Sequence, residues 1–132
     1  MIKIYENQVQ SIGSLAKEFL NEKMVILFGE QAPSGLKDYC YGIGVKPIDG
    51  AIRVGDCVLF NDKRYTITAI GNLVQKNLVD LGHITMKFDG STVPELPGTL
   101  YLEEKELPVI DIGTTIEIGT LKSKGKNENI YV

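Results

Sequence analysis

Short runs of alternating apolar and polar residues recur along the chain, most of them closed by a glycine or an Asn/Asp turn signal. They do not alternate regularly with helical segments, as a doubly wound parallel sheet would require. This pattern disfavours that fold and favours a mainly β barrel or sandwich. The clearest unit is VGDCVLFNDKRYTITAIG. Val58 and Phe60 lead into Asn61-Asp62, and Tyr65, Ile67 and Ala69 alternate afterwards, which predicts a hairpin. HITMKFDG predicts a strand ending at Asp89-Gly90, and GTLYLE and TTIEIGTL predict two more. MVILFGE, residues 24–30, is a continuous apolar run that fits a strand buried on both faces. IKIYENQVQSI, residues 2–12, reads as a strand with an irregularity near Asn7. YCYGIGV, residues 39–45, is strand-like, and Gly42 and Gly44 mark a bulge or a close backbone approach.

Two helices complete the pattern. SLAKEFLNE, residues 14–22, has Ser14 as an N-cap, with Leu15, Phe19 and Leu20 on one face. NLVQKNLVDL, residues 72–81, is the better one. Asn72 caps it, Gln75 occupies the capping-box position, Gly82 suits the C′ position, and Val74, Leu78 and Leu81 share a face. The expected total is six to eight short strands and two short helices, in one domain spanning residues 1–121. A polar, mobile tail is expected over 122–132, where Lys122, Lys124 and Lys126 serve mainly to keep the end solvated.

Composition narrows the function. With 14 basic against 17 acidic residues the net charge is −3, so the basic excess of a generic nucleic-acid binder is missing. No run of 18 apolar residues exists to span a bilayer, and the N-terminus lacks the apolar core of a signal peptide. A cytoplasmic protein is expected. There the two cysteines are free thiols. Cys57 reads as a buried strand residue, and Cys40 has no neighbouring His or basic cluster to activate it. The chain holds one histidine, His83, so a Cys/His zinc site is nearly excluded by count.

No P-loop, dinucleotide fingerprint, HExxH or GxSxG pattern is present, and GIGVKPIDG lacks the helix that would follow a dinucleotide loop. Glu30 with Asp38, and Glu103, Glu104 and Glu106, could supply acid–base carboxylates, but solvated surface charge is the expected reading. His83 is the residue with a distinctive setting, directly after a helix C-cap and at the start of a strand. A histidine there could accept a phosphoryl group, act as an acid or base, or simply pack. Lys76 and Lys87 are candidate phosphate partners by their closeness in sequence alone.

The strings EQAPSGLKDYC, AIRVGDCVLFNDKRYTITAIG and NLVQKNLVDLGHITMKFDG, with ELPGTLYLE after them, resemble the enzyme IIA component of the glucitol/sorbitol phosphotransferase system. The resemblance runs from about residue 1 to residue 118, nearly the whole chain. It implies a closed, antiparallel-rich β barrel of about seven strands with one or two short helices. It also implies a phosphoryl relay. HPr donates to a histidine of IIA, IIB accepts, and the sugar is phosphorylated as it passes through IIC. No metal or organic cofactor is implied, no nucleic-acid partner, and contact with the membrane only through the permease. Strand edges leave room for a homodimer. The family's phosphohistidine falls just after the Tyr-Cys pair, here Tyr39-Cys40, at Ile43, which carries no nucleophile. His83 matches a histidine in the family's LGH string. Two accounts stay open: His83 accepts the phosphoryl group, or the chain is a relative that binds partners without accepting phosphate.

Overall fold

The computed structural model describes residues 1–120, so the expected tail over 122–132 lies outside the described residues. The strands are β1 (Ile2–Gln8), β2 (Ser11–Ile12), β3 (Met24–Phe28), β4 (Tyr41–Gly42), β5 (Cys57–Phe60), β6 (Lys63–Ile70), β7 (Ile84–Lys87), β8 (Thr99–Leu102) and β9 (Thr115–Thr120). A 3₁₀ helix spans Ala16–Glu22, and α-helices α1 and α2 span Ser34–Lys37 and Val74–Leu81. Among the described residues no helix is long and apolar enough to cross a membrane.

The mainly β class is as expected, but the closed seven-strand barrel is not what forms. Nine strands make one curled half-barrel sheet in the order β1-β9-β5-β6-β8-β7-β3-β4-β2. The β3/β4 and β7/β8 pairs are parallel and the other pairs antiparallel. The two ends of the sheet are consecutive parts of one N-terminal segment. Between β1 and β2 the Val9 N–H donates to Thr114 O (3.0 Å) and the Gln10 N–H to Gly42 O (2.7 Å). The chain crosses from the β9 side to the β4 side there, and covalent continuity replaces the ladder that would close a barrel. The irregularity expected near Asn7 falls on either side of it. Register shifts between Lys3 and Tyr5, and the strand breaks after Gln8.

The hairpin forms as read. Phe60 pairs with Lys63, and Asn61 turns the chain at φ 55° while its Oδ1 accepts the Thr115 N–H (3.0 Å). Alternation sends Tyr65, Ile67 and Ala69 inward from β6. There Tyr65 meets Phe88 edge-on at 4.9 Å and Phe60 at 6.0 Å. This geometry suits the ring quadrupoles. The run 24–30 contributes Val25, Leu27 and Phe28 as buried residues, while Met24 and Ile26 are only half-buried. The stretch 39–45 pairs over two residues only.

Both helix starts differ from expectation. The first helix is 3₁₀ rather than α, begins at Ala16, and takes no side-chain cap from Ser14. Its entry is fixed instead by the Leu15 N–H donating to Asp38 O (2.8 Å). Helix α2 has Leu73 at its N-cap and no capping bond from Asn72. Gln75 is used elsewhere: Oε1 accepts the Ile52 N–H (2.9 Å) and Nε2 donates to Gly50 O (3.0 Å). A side chain that holds a distant loop cannot also close a capping box. Val74 and Leu78 are buried as expected, whereas Leu81 is 41% exposed. Gly82 closes the helix in the left-handed region at φ 68°, as its position predicts.

Burial pushes the hydroxyls of Tyr5, Tyr41 and Tyr65 up. Tyr65 reaches about 12, with Glu106 and Glu103 adding to the effect of burial. Each ionises more readily in the unfolded chain. Their contribution is full below the ordinary value of 10 and is lost as pH rises toward 12. The urea midpoint is therefore expected to hold up to about pH 10 and to fall above it. The tyrosinate absorbance contributed by Tyr5, Tyr41 and Tyr65, read by difference from their Phe variants, should rise together with unfolding and not before it. Tyr41 Oη is the one buried side-chain polar atom without a partner among the described residues. Tyr41→Phe removes a desolvated hydroxyl and should stabilise the fold by about 1 kcal/mol in urea unfolding.

Candidate functional site

The site forms where β3 ends. The Phe28 carbonyl accepts the Ile43 N–H (3.0 Å), which carries the β3/β4 pairing one residue past β4. Successive carbonyls on a strand point to opposite sides, so the Leu27 carbonyl faces β7. It meets His83 Nδ1 at 3.3 Å. A carbonyl oxygen accepts, so this bond places the ring proton on Nδ1. Nε2 makes no hydrogen bond among the described residues and is not a buried unpartnered atom, so solvent reaches it. His83 itself is half-buried.

The register Leu27↔Ile84 sets Phe28 opposite His83. Cross-strand neighbours share a face. Their rings stack at 4.3 Å with 24° between the planes. The His83 backbone is fixed independently, its N–H donating to Asn77 O (3.2 Å) at the end of α2. Glycine allows the close fit. The Gly29 N–H donates to Leu81 O (3.0 Å). A Cβ on Gly29 would stand 2.6 Å from that oxygen and 2.8 Å from Val45 Cγ2. One on Gly82 would meet the Gly29 backbone at 3.0 Å and Gly44 O at 3.4 Å.

Ile43 lies two strands from His83, about 10 Å at ordinary strand spacing. The register Leu27↔Tyr41 and Phe28↔Gly42 puts Tyr41 with the inward residues. Ile43, two residues on, follows it into the core at 1% exposure. The loop after it is clamped by the buried Asn7. Its Nδ2 donates to Gly44 O (2.7 Å) and Tyr5 Oη (2.8 Å), and its Oδ1 accepts from the Gly44 N–H (3.2 Å) and the Gln8 N–H (2.9 Å). Beside this loop is a depression of about 180 Å³. Ser11, Phe28, Lys37, Cys40 and Ile43 are among the residues that line it.

The other candidates are not brought to His83. Lys76 pairs with Asp80 at 2.7 Å, and Lys87 sits opposite Met24 at the far end of β7. Glu30 and Asp38 are exposed. Glu103 accepts the Thr66 N–H (2.8 Å), Glu104 pairs with Lys23, and Glu106 pairs with Lys63 at 2.7 Å. These are surface pairs, and Lys63 holds the Glu106 carboxyl below its usual range. Cys40 and Cys57 are free and buried, and burial pushes both thiols up. Cys40 Sγ donates to Leu36 O at 3.2 Å. No group of three or more His, Cys, Asp or Glu side chains that could hold a metal occurs among the described residues.

Sequence reading found His83 by its scarcity and missed the groups that hold it. Phe28 sits in an apolar run that gives no sign of an aromatic partner. The Leu27 carbonyl is backbone and leaves no trace in sequence. Asn7 did carry a signal, a polar residue inside a strand pattern.

Alanine at Gly29 should cost about 1–3 kcal/mol in urea unfolding, because the Leu81 carbonyl, a backbone group, stands in the way as well as the Val45 side chain. Gly35→Ala is the control, since a Cβ there meets nothing within 4 Å. It should change stability by less than about 0.5 kcal/mol.

The family model described as "PTS system glucitol/sorbitol-specific IIA component" matches residues 4–117. Proteins named "PTS system glucitol/sorbitol-specific EIIA component" from Shigella flexneri and Escherichia coli (strain K12) are each 33% identical over 122 residues. Each match covers 92% of this chain and 99% of the relative. A solved structure, the PTS system IIA component from Enterococcus faecalis V583, superimposes with a TM-score of 0.76 at 32% identity. It covers 88% of this chain and 100% of its own.

Proposed function

The chain belongs to the glucitol/sorbitol-specific IIA family of the phosphotransferase system, and on that footing we propose that His83 is its phosphoryl acceptor. In this reading the protein takes the group from phospho-HPr and passes it to the IIB component, which serves sugar uptake through IIC. Membership in the family implies contact with other components of the system. The observation that carries the acceptor assignment is the hydrogen bond from Nδ1 of the chain's one histidine to Leu27 O, with Nε2 left free. Ile43 presents hydrocarbon to the core and offers no atom for the transfer.

The chemistry needs little from the protein beyond position. The Nε2 lone pair forms a bond to phosphorus as the bond to the donor's carrying atom breaks, and that atom leaves with the electron pair. The proton stays on Nδ1, donated in a hydrogen bond to Leu27 O, so the transfer requires no proton to move. Handing the group to IIB reverses these roles. Catalysis by holding the reacting atoms in line is the larger part of such a transfer.

Incubation with phospho-HPr should add about 80 Da to the intact protein when it is handled above neutral pH. The adduct should be acid-labile and absent from His83→Ala. If a working sorbitol IIA is labelled under the same conditions and this chain is not, the relay is excluded. A partner-binding role without phosphate would then be the surviving account.

A further inference from the structure

We infer that Phe28 is a positioning residue that sets the direction from which a phosphoryl group can reach His83. The inference rests on His83 as acceptor and adds to it the group that holds its plane. The nitrogen lone pair used in the transfer lies in the plane of the imidazole. Whatever fixes that plane therefore fixes the line of attack. Two constraints fix it here, and both come from consecutive residues of β3. Leu27 O holds Nδ1 at 3.3 Å, which leaves the ring free to swing about that bond. Phe28 removes the swing by stacking on one face at 4.3 Å with the planes 24° apart.

Phe28 is a firm backing. It is 7% exposed. It lines the depression beside Gly29, Gly42 and Ile43 on one side and meets the imidazole on the other. Its backbone is bonded to Ile43 through its carbonyl. The stacked face of His83 is closed to an incoming group. The Nε2 edge is the route left open. A partner must approach along a plane close to that of the Phe28 ring. An aliphatic side chain of similar size would fill the space but would not impose a plane.

The test compares Phe28→Leu and Phe28→Tyr with the natural protein, each checked for folding by thermal unfolding. In the unphosphorylated protein, two-dimensional ¹H–¹⁵N spectra of the His83 ring should show a proton on Nδ1. Phe28→Tyr should keep that state. Phe28→Leu should keep that proton, since Leu27 O still accepts it, but the ring should swing, read as a lower order parameter for the His83 ring C–H bonds in ¹³C relaxation. With phospho-HPr, Phe28→Leu should lower kcat by about tenfold or more while KM stays within about twofold, because docking is untouched and alignment is lost. Phe28→Tyr should restore most of the rate. A folded Phe28→Leu protein whose ring keeps the natural order parameter would overturn the inference, and so would a natural kcat. If the natural protein takes no phosphate, the acceptor assignment fails alone, and the comparison of ring order still decides whether Phe28 holds the ring.

Discussion

The backbone of Leu27, Phe28 and Gly29 is bonded in three directions, and the site follows from that. The Leu27 carbonyl takes His83, the Phe28 carbonyl takes the Ile43 N–H, and the Gly29 N–H gives to Leu81 O. One strand end thus joins the loop after β4, the last turn of α2 and the first residue before β7. The Phe28 carbonyl and the Gly29 N–H are groups that a strand end would otherwise leave unsatisfied. Side-chain substitutions cannot easily undo the two backbone–backbone bonds, whereas a Cβ on Gly29 or Gly82 can.

The same strand end separates two positions that sequence comparison places in competition. Ile43 continues the inward alternation of Tyr41, and His83 lies opposite Phe28 with a nitrogen open to solvent. One serves the core and the other faces outward, about two strand spacings apart. A branched hydrocarbon at position 43 suits the packing it is in. A nucleophile there would be aimed into the core unless the loop moved against the Asn7 clamp.

What could be read from sequence was local. The hairpin at Asn61-Asp62 and the left-handed cap at Gly82 follow from a few adjacent residues, and both formed as read. The strand order, the two parallel pairs and the N-terminal segment that spans the sheet ends depend on distant pairings that no window contains. Gln75 shows why cap signals misled: its motif fits a capping box, but loop 50–52 competes for the same amide and wins. His83 was legible because the chain has no other histidine. Phe28 was not, because an aromatic residue in an apolar run reads the same whether it fills a core or backs an imidazole.

The central claim is that Leu27 O keeps the proton on Nδ1 and leaves Nε2 to carry phosphorus. Nitrogen-15 spectra of the phosphorylated protein, with ¹⁵N–³¹P coupling observed at the His83 ring, locate the bond directly. The account predicts coupling to Nε2, with Nδ1 still protonated. Coupling to Nδ1, or a histidine that shows no coupling under conditions that phosphorylate a working sorbitol IIA, would contradict it.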